Sequence, residues 1–310
     1  MGTVYFINGF LEAGKTTFIK ELFSKESFRI PGKTLIIMCE EGNQVFSDSE
    51  LAQANAVLEV LEERKEFTVD NLLRLEDKHH PERIIVEYNG MWDRKSIVFP
   101  QSWGNIMEIA VFDSVTFKLY SENLRAYVTE QVRKAELVVF YRADVVRDKL
   151  GGFLRNIKAV NTGAALVFLG AEGDIILDPD EALPFDISSD ELDLDDVGFA
   201  VMCMDSMERV EVYEDKKVHF MARVYKMKDG GEFEFVAGRW VMTCCEADMT
   251  FLGIICAHPK AYELQNKDWV EITGVIRIVY DEVMKRDTPV CKVVDLKMAE
   301  KPEQEFVSMI

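Results

Sequence analysis

The sequence predicts two parts of different fold class: an α/β part with a mainly parallel sheet, followed by a small all-β part. Strand-type runs alternate with helical patterns over roughly the first 170 residues, which favours a parallel sheet with helices on both faces. From about residue 197 the apolar pattern changes to alternation, which is typical of half-buried strands. Residues 174–196 are dense in acidic side chains and are expected to form a solvated linker. The predicted domains are therefore 1–173, the acidic linker 174–196, and 197–310.

Composition and charge restrict the partners and the compartment. The 310-residue chain has 36 Lys and Arg against 55 Asp and Glu, a net charge of −19, which disfavours nucleic acid and anionic membrane surfaces. No apolar run is long enough to span a bilayer, and no secretory signal precedes the first predicted strand. We therefore expect a cytoplasmic protein with no nucleic-acid partner and no membrane insertion. In a reducing compartment, its six cysteines suit metal or redox chemistry better than disulfides.

The first part is organised around residues 9–16, Gly-Phe-Leu-Glu-Ala-Gly-Lys-Thr, which match the phosphate-loop pattern G-x-x-x-x-G-K-[ST] at every fixed position. A strand-type run, 3–8, precedes this loop, and apolar residues at helical spacing, 17–23, follow it. In that context the glycines let backbone N–H groups close around phosphate oxygens at a helix N-terminus. Lys15 would reach the β- and γ-phosphates, and the Thr16 hydroxyl would ligate Mg²⁺. The predicted nucleotide-binding residues of the loop are Gly9, Glu12, Ala13, Gly14, Lys15, Thr16 and Thr17.

The remaining elements of this part place two carboxylates beside the loop. Further strands are predicted at 33–39, 83–87, 109–113, 137–141 and 164–168, and helices at 49–63, 68–75 and 121–136. Glu40 follows the second strand and Glu87 ends the third, at the edge where open α/β sheets bind ligands. Lys15, Glu40 and Glu87 form the predicted catalytic set, with Thr16 and Glu87 on Mg²⁺. His79 and His80 are interpreted as helix-end residues rather than metal ligands.

The second part predicts a small closed barrel of OB-like type. Short strands are expected at 218–224, 232–236, 238–245, 251–256, 269–273 and 289–296, with a bulge at Gly274. Five or six such strands interrupted by glycines are typical of OB-like barrels. His219 is expected on the solvated face of its strand.

Adjacent cysteines make one stretch of this barrel chemically unusual. If the chain turns after Cys244, then Cys244, Cys245 and Cys256, with Asp248 or His258, could converge on a tetrahedral ion such as Zn²⁺. The alternative is that one cysteine of the pair packs in the core and the other is partly exposed. This alternative stays open because adjacent cysteines lack the two-residue spacing of strong zinc motifs.

The motifs of the first part carry a family resemblance. Residues 8–17 resemble the opening of the CobW-like metallochaperone GTPases, relatives of HypB and UreG, and the likeness is collinear over most of residues 1–170. It continues through Glu40-x-Gly42, Glu87-x-x-Gly90, residues 131–144 and residues 155–161. The resemblance implies that Glu40 and Glu87 serve the Mg²⁺ and switch machinery. It also implies that Arg142 stacks on a guanine base and that Asp144 accepts hydrogen bonds from the base edge.

The same resemblance implies partners, and the sequence departs from it in places. The implied partners are a guanine nucleotide, a metal-requiring client protein, and a second copy in a nucleotide-dependent homodimer. Tyr141 stands where the family usually has Asn, and Glu12 replaces a more common Gly. The family's Gly-Cys-x-Cys-Cys motif is missing, because residues 50–80 contain no cysteine, and Cys39 is the only thiol of this half. Residues 215–297 are similar to the cysteine-pair domain of uncharacterised proteins that accompany predicted membrane permeases.

Two functions are consistent with these patterns. The first is a Mg²⁺-dependent GTPase, slow when unaided, that handles a transition metal, zinc, at the cysteine cluster under control of the nucleotide. The alternative is a nucleotide-sensing scaffold that binds a protein partner, with little or no hydrolysis and a purely structural cysteine cluster.

Overall fold

The structure, a computed structural model, describes residues 3–40, 42, 45–227, 231–242 and 249–308. The chain divides into two compact units, Met1–Ile176 and Leu177–Ile310. The division falls inside the segment that was predicted as an acidic linker. Each unit has its own hydrophobic core.

A mainly parallel sheet of eight strands forms the first unit, in the order β3-β2-β4-β1-β5-β6-β7-β8. The strands are β1 (Val4–Asn8), β2 (Thr34–Met38), β3 (Ala56–Val60), β4 (Arg83–Glu87), β5 (Ile106–Asp113), β6 (Leu137–Tyr141), β7 (Ala165–Gly170) and β8 (Gly173–Ile175). The helices are α1 (Lys15–Ser24), α2 (Asp48–Gln53), α3 (Val69–His79), α4 (Ser114–Asn123), α5 (Arg125–Val132) and α6 (Leu150–Val160). Only the β7–β8 pair is antiparallel among these strands.

Helices cover both faces of this sheet, as predicted. Successive side chains of a strand point to opposite faces, and β1 divides its residues between two cores. Val4 and Phe6 pack with Leu72 of α3, whereas Ile7 packs with Ile19 of α1. The sheet therefore lies between two layers of helix.

The predicted helix over 49–63 is wrong in its second half. Helix α2 ends at Gln53, and Asn55 adopts a left-handed backbone conformation, φ +47°, which stops the helix. The chain then forms β3, which extends the sheet by pairing in parallel with β2. Short apolar runs fit a helix stripe and a strand equally well, and here the free edge of β2 decides between them.

A five-stranded closed barrel is the centre of the second unit. The helix and strands of this unit are β9 (Glu191–Asp193), α7 (Asp196–Asp205), β10 (Lys217–Tyr225), β11 (Glu234–Met242), β12 (Met249–Ala257), β13 (Trp269–Asp281), β14 (Arg286–Met298) and β15 (Phe306–Ser308). Neighbours in the barrel run β10-β11-β12-β14-β13 and return to β10, with β12 and β14 parallel. This confirms the OB-like barrel. The register shift between Thr273 and Gly274 confirms the predicted bulge.

Part of the predicted acidic linker forms a strand that pairs with the edge of this barrel. Strand β9 pairs in parallel with β10, and Leu192 and Leu194 are buried in the barrel core. The predicted strands 232–236 and 238–245 form one strand, β11, over the described residues Glu234–Met242. Among the residues that the structure describes, no helix has both the length and the apolar character needed to cross a membrane.

Candidate nucleotide-binding site

The phosphate loop joins β1 to α1 and is held by close backbone packing. Gly14 has φ +101°, a left-handed value that favours glycine, and a Cβ built there would lie 2.8 Å from the Tyr141 ring. A Cβ at Gly9 would lie 2.3 Å from the Val111 carbonyl oxygen. Both fixed glycines of the motif are therefore required by space as well as by backbone conformation.

Lys15, the first residue of α1, points back into its own loop. Its Nζ donates to the carbonyl oxygens of Gly9 and Phe10 at 2.9 Å each, and to Glu40 Oε2 at 2.9 Å. The Lys15 side chain is only 3% exposed. A triphosphate would exchange some of these acceptors for phosphate oxygens, so Glu40 competes with nucleotide for this ammonium group.

Thr16 and Glu87 meet at the carboxyl edge of the sheet. The Thr16 hydroxyl donates to the Glu87 carboxylate, 2.9 Å from Oε1 and 3.1 Å from Oε2. Burial raises the pKa of Glu87, and this outweighs the lowering by the Lys15 charge and the Thr16 hydrogen bond. Hydroxyl and carboxylate oxygens fit Mg²⁺, which prefers oxygen ligands and is usually completed by water and substrate phosphates.

These groups surround one cavity of about 180 Å³. Glu40 and Glu87, far apart in sequence, lie at this cavity beside the loop, where sequence reasoning expected them. The described lining residues are Leu11, Glu12, Gly14, Lys15, Thr16, Thr17, Glu40, Gly42 and Glu87. Two of the predicted loop residues, Gly9 and Ala13, are not in this lining and shape the loop instead. The Gly9 carbonyl oxygen accepts a hydrogen bond from Lys15, and the Ala13 N–H donates to the Phe10 carbonyl oxygen.

The predicted base-recognition residues follow β6, at the same edge of the sheet. Arg142 forms an ion pair with Asp113 at the end of β5, through Nε–Oδ1 at 3.0 Å and a second contact between Nη2 and Oδ2. The Tyr141 hydroxyl donates to Glu21 of α1 at 2.5 Å, and its ring covers Gly14. Asp144 lies beside Gly170, where a Cβ would come within 3.2 Å of the Asp144 Oδ1.

Sequence reasoning missed Asp113 and the contact of Tyr141 with the loop. Asp113 ends a strand just as Glu87 does, so its position at the ligand-binding edge was a usable signal. The Tyr141 contact had no such signal, because it depends on how β6 and α1 approach each other.

The structure describes one thiol of the predicted cysteine cluster. Cys256 is fully buried in the barrel and lies opposite Cys291 on β14, and burial raises its pKa well above the usual range of a thiol. The zinc site that combines this thiol with Cys244 and Cys245 stays a prediction. Cys244 and Cys245 themselves lie outside the described residues.

The other described thiols, Cys39, Cys203 and Cys291, are buried as well. Cys39 is buried, and burial raises its pKa far above the usual thiol range. Across the described ranges, no group of three or more His, Cys, Asp or Glu side chains is arranged to hold a metal ion.

The site and fold together define a phosphate-loop nucleotide-binding protein. A glycine loop follows the first strand of a mainly parallel sheet, and a buried lysine, a threonine hydroxyl and two carboxylates surround the phosphate cavity. The chain belongs to the CobW/HypB/UreG family, since the family model of that nucleotide-binding domain matches residues 3–168. A second family model, the DUF1980 C-terminal domain, matches residues 179–308.

Individual proteins show weaker likeness. UPF0703 protein YcgQ of Bacillus subtilis (strain 168) is 25% identical over 92 residues, which are 30% of this chain and 32% of that protein. The match thus spans about a third of that relative's length. The Zn(II)-bound YjiA GTPase from E. coli is similar at 18% identity and a TM-score of 0.40, covering 88% of this chain and 94% of the other. The hydrogenase maturation factor HypB of Archaeoglobus fulgidus is similar at 14% identity and a TM-score of 0.39, covering 55% and 82%.

Proposed function

We propose that this protein binds GTP with Mg²⁺, hydrolyses it slowly, and uses the nucleotide state to control the handling of a transition metal, zinc. The observation that carries the nucleotide part is the arrangement of Lys15, Thr16 and Glu87 around one cavity at the phosphate loop. Membership of a nucleotide-binding family supports it.

The residues assign distinct tasks within this site. Lys15 neutralises phosphate charge, and Thr16 with Glu87 would hold Mg²⁺ against the phosphates. Asp144 would accept hydrogen bonds from N1–H and the 2-amino group of guanine, which adenine cannot supply in the same pattern. A GTP preference follows from that chemistry.

Slow turnover follows from what lines the cavity. The described lining residues include one cation, Lys15, and neither an arginine nor a glutamine. An arginine that stabilises the transition state and a glutamine that orients water account for much of the rate in fast GTPases. We therefore expect a low unaided hydrolysis rate.

A direct test compares Lys15→Ala with Lys25→Ala, an exposed lysine just beyond the end of α1. Calorimetric titration with Mg²⁺-GTP should show a loss of roughly 10- to 100-fold for Lys15→Ala, the scale of one charge-assisted hydrogen bond, and no change for the control. Equal affinity of the two variants would overturn the assignment. Intact binding with no phosphate release above buffer would restrict the function to binding.

The second candidate function, a partner-binding switch without metal transfer, also has an observation in its favour. Cys256, one of three predicted thiol ligands, is fully buried in the barrel core opposite Cys291, which fits a packing role. In this alternative the barrel binds a client protein, and the bound nucleotide determines when that binding occurs. Zinc binding by Cys244 and Cys245 distinguishes the two candidates.

A further inference from the structure

We propose that Asp113 is a positioning residue for the nucleotide base: it fixes Arg142 as a flat cationic surface on which a purine ring stacks. The inference deepens the proposed function and rests on it. It names a residue that lies outside the phosphate-loop and base-edge motifs.

The position of Arg142 fits the length of a nucleotide. Strands β1, β5 and β6 are consecutive neighbours in the sheet, so the segments that follow β1 and β6 are two strand spacings apart, about 10 Å. The phosphate loop follows β1, and Arg142 follows β6 at the same carboxyl edge. A ligand whose phosphates occupy the loop would therefore extend its base toward Arg142.

Asp113 holds the guanidinium in one place. Arg142 adopts a left-handed backbone conformation, φ +54°, directly after β6, and both Asp113 oxygens contact its guanidinium. Asp113 is 7% exposed, and its Oδ1 also accepts the Val115 N–H at 3.0 Å as the N-cap of α4. The carboxylate is thus anchored to a helix before it pairs with the arginine.

The arginine is well suited to stacking because more than half of its side chain is exposed. Its side chain is 59% exposed although its Nε and Nη2 are bonded to Asp113. A planar, delocalised cation attracts the face of an aromatic ring, and a guanidinium whose rotamers are already restricted loses less entropy when a base arrives.

Base selection is a separate property of this site. Stacking on Arg142 uses the face of the ring, which guanine and adenine share, whereas Asp144 would contact the edge. Loss of Asp113 should therefore weaken GTP and ATP by similar factors and leave their ratio unchanged. It should not affect inorganic tripolyphosphate, which has no base.

The test uses Asp113→Asn in the full chain. Asparagine keeps the side-chain oxygen and is an equally good N-cap, so α4 is retained while the charge on Arg142's partner is removed. Calorimetry with Mg²⁺-GTP, Mg²⁺-ATP and Mg²⁺-tripolyphosphate should show roughly tenfold weaker binding of both nucleotides, the scale of one cation–π contact, and unchanged tripolyphosphate. Asp195→Asn, the N-cap of α7 in the second unit, is the matched control and should change none of the three.

A double-variant cycle tests whether Asp113 acts through Arg142. Arg142→Ala alone should weaken nucleotide binding by the same factor as Asp113→Asn. Adding Asp113→Asn to Arg142→Ala should not weaken it further. If Asp113→Asn fails to fold, Asp113→Ser is measured with the same three ligands, because serine also caps a helix but has no carboxylate to pair with Arg142.

The possible failures are distinguishable. Weakening of tripolyphosphate as much as GTP would overturn the proposal, since Asp113 would then act through the phosphate loop or the fold. Unchanged GTP binding in Arg142→Ala would overturn it as well. A wild-type chain that binds neither GTP nor tripolyphosphate would overturn the proposed function itself, and this inference with it.

Discussion

At the phosphate loop, Lys15 and Thr16 are each engaged with a carboxylate before any nucleotide is considered. Lys15 pairs with Glu40, and Thr16 with Glu87, so the positive and hydroxyl groups of the motif already have acidic partners. Such pairing keeps a buried lysine satisfied. Under the proposed function, a triphosphate would replace some of these partners, and Mg²⁺ would offset the negative charge of Glu87 beside the phosphates.

The first prediction concerns Glu87→Gln. Glutamine keeps the shape and can still accept the Thr16 hydroxyl, but it removes the charge that would hold Mg²⁺. We expect the variant to bind GTP without Mg²⁺ at least as tightly as wild type, and to lose the increase in affinity that Mg²⁺ produces. Nucleotide titrations with and without Mg²⁺ measure this, with the exposed Glu26→Gln as control.

The pH dependence of the same site has a defined sign. Because burial raises the pKa of Glu87, its carboxyl binds a proton at a pH above the usual range of a glutamate. Mg²⁺ needs the ionised form, so its effect on GTP affinity should weaken on acidification and should do so before an ordinary glutamate titrates. A Mg²⁺ effect retained in Glu87→Gln, or independent of pH down to the ordinary glutamate range, would contradict this role.

Among the elements, β9 is attached to the barrel through a row of charges. His219 on β10 lies between Asp193 of β9, at 2.7 Å from Nδ1, and Glu271 of β13, at 3.0 Å from Nε2. The hydrogen bond to Asp193 and the neighbouring Glu271 raise the pKa of His219. A raised histidine pKa stabilises the folded pairing at low pH, and that contribution is lost as the pH rises through the folded-state pKa.

We therefore predict that protection of the Leu194 amide, which donates to the His219 carbonyl oxygen, falls as the pH rises. The His219 side chain is 42% exposed, so screening limits the effect to the scale of surface ion pairs, about 0.2–1 kcal/mol. Hydrogen exchange, corrected for intrinsic rates, should show this dependence in wild type and not in His219→Gln. Lys217→Gln, on the next rung of the same strands, should leave it intact. A pH-dependent amide in His219→Gln would refute the assignment.

Helix α7 is attached to the barrel by a buried arginine. The Arg239 side chain is fully buried, pairs with both oxygens of Asp196, donates to the Gln304 carbonyl oxygen at 3.3 Å, and lies 4.9 Å from the centre of the Trp269 ring. Asp196 is the first residue of α7. The helix and the C-terminal segment therefore meet at one guanidinium.

Removing the Asp196 side chain should lower the free energy of unfolding by more than is usual for a partly exposed aspartate. Asp196→Ala leaves a buried guanidinium without its countercharge, and we expect a loss of about 3 kcal/mol in the free energy of unfolding. Hydrogen exchange at β11 and β13 amides reports on the second unit and measures this loss. The exposed Asp190→Ala should have little effect, and a loss for Asp196→Ala as small as that control would show that Arg239 is satisfied by its other contacts.

Contiguous motifs could be predicted from the sequence alone, whereas most contacts between neighbouring strands could not. Strand, loop and helix around Lys15 were predictable because the motif is contiguous. Glu40 and Glu87 were predictable because Glu40 closely follows one parallel strand and Glu87 ends another. Strand β3 was missed because its apolar residues fit a helix stripe as well as a strand. The placement of Cys256 depends on strand register across β11 and β12, and the pairing of Asp113 with Arg142 depends on β5 lying beside β6. Neither neighbour relation is contained in local spacing.

At the scale of the whole molecule, the proposed function couples two units. The nucleotide site lies in the unit Met1–Ile176, and the adjacent cysteines belong to the sequence of the second unit. Control of metal by nucleotide is then a coupling free energy between sites, and it is reciprocal. If GTP changes zinc affinity by some factor, zinc must change GTP affinity by the same factor.

The most direct test of nucleotide-controlled metal handling is the zinc content and zinc affinity of the purified full chain, with and without Mg²⁺-GTP. The variant Cys244→Ser/Cys245→Ser is measured alongside, and Cys291→Ala, a buried barrel thiol that is not a predicted ligand, serves as the matched control. The account predicts one tightly bound zinc that the double variant loses and the control keeps, with an affinity that GTP changes. A zinc affinity that does not change with nucleotide would indicate a structural zinc. No bound zinc at all would contradict metal handling and favour the partner-binding switch.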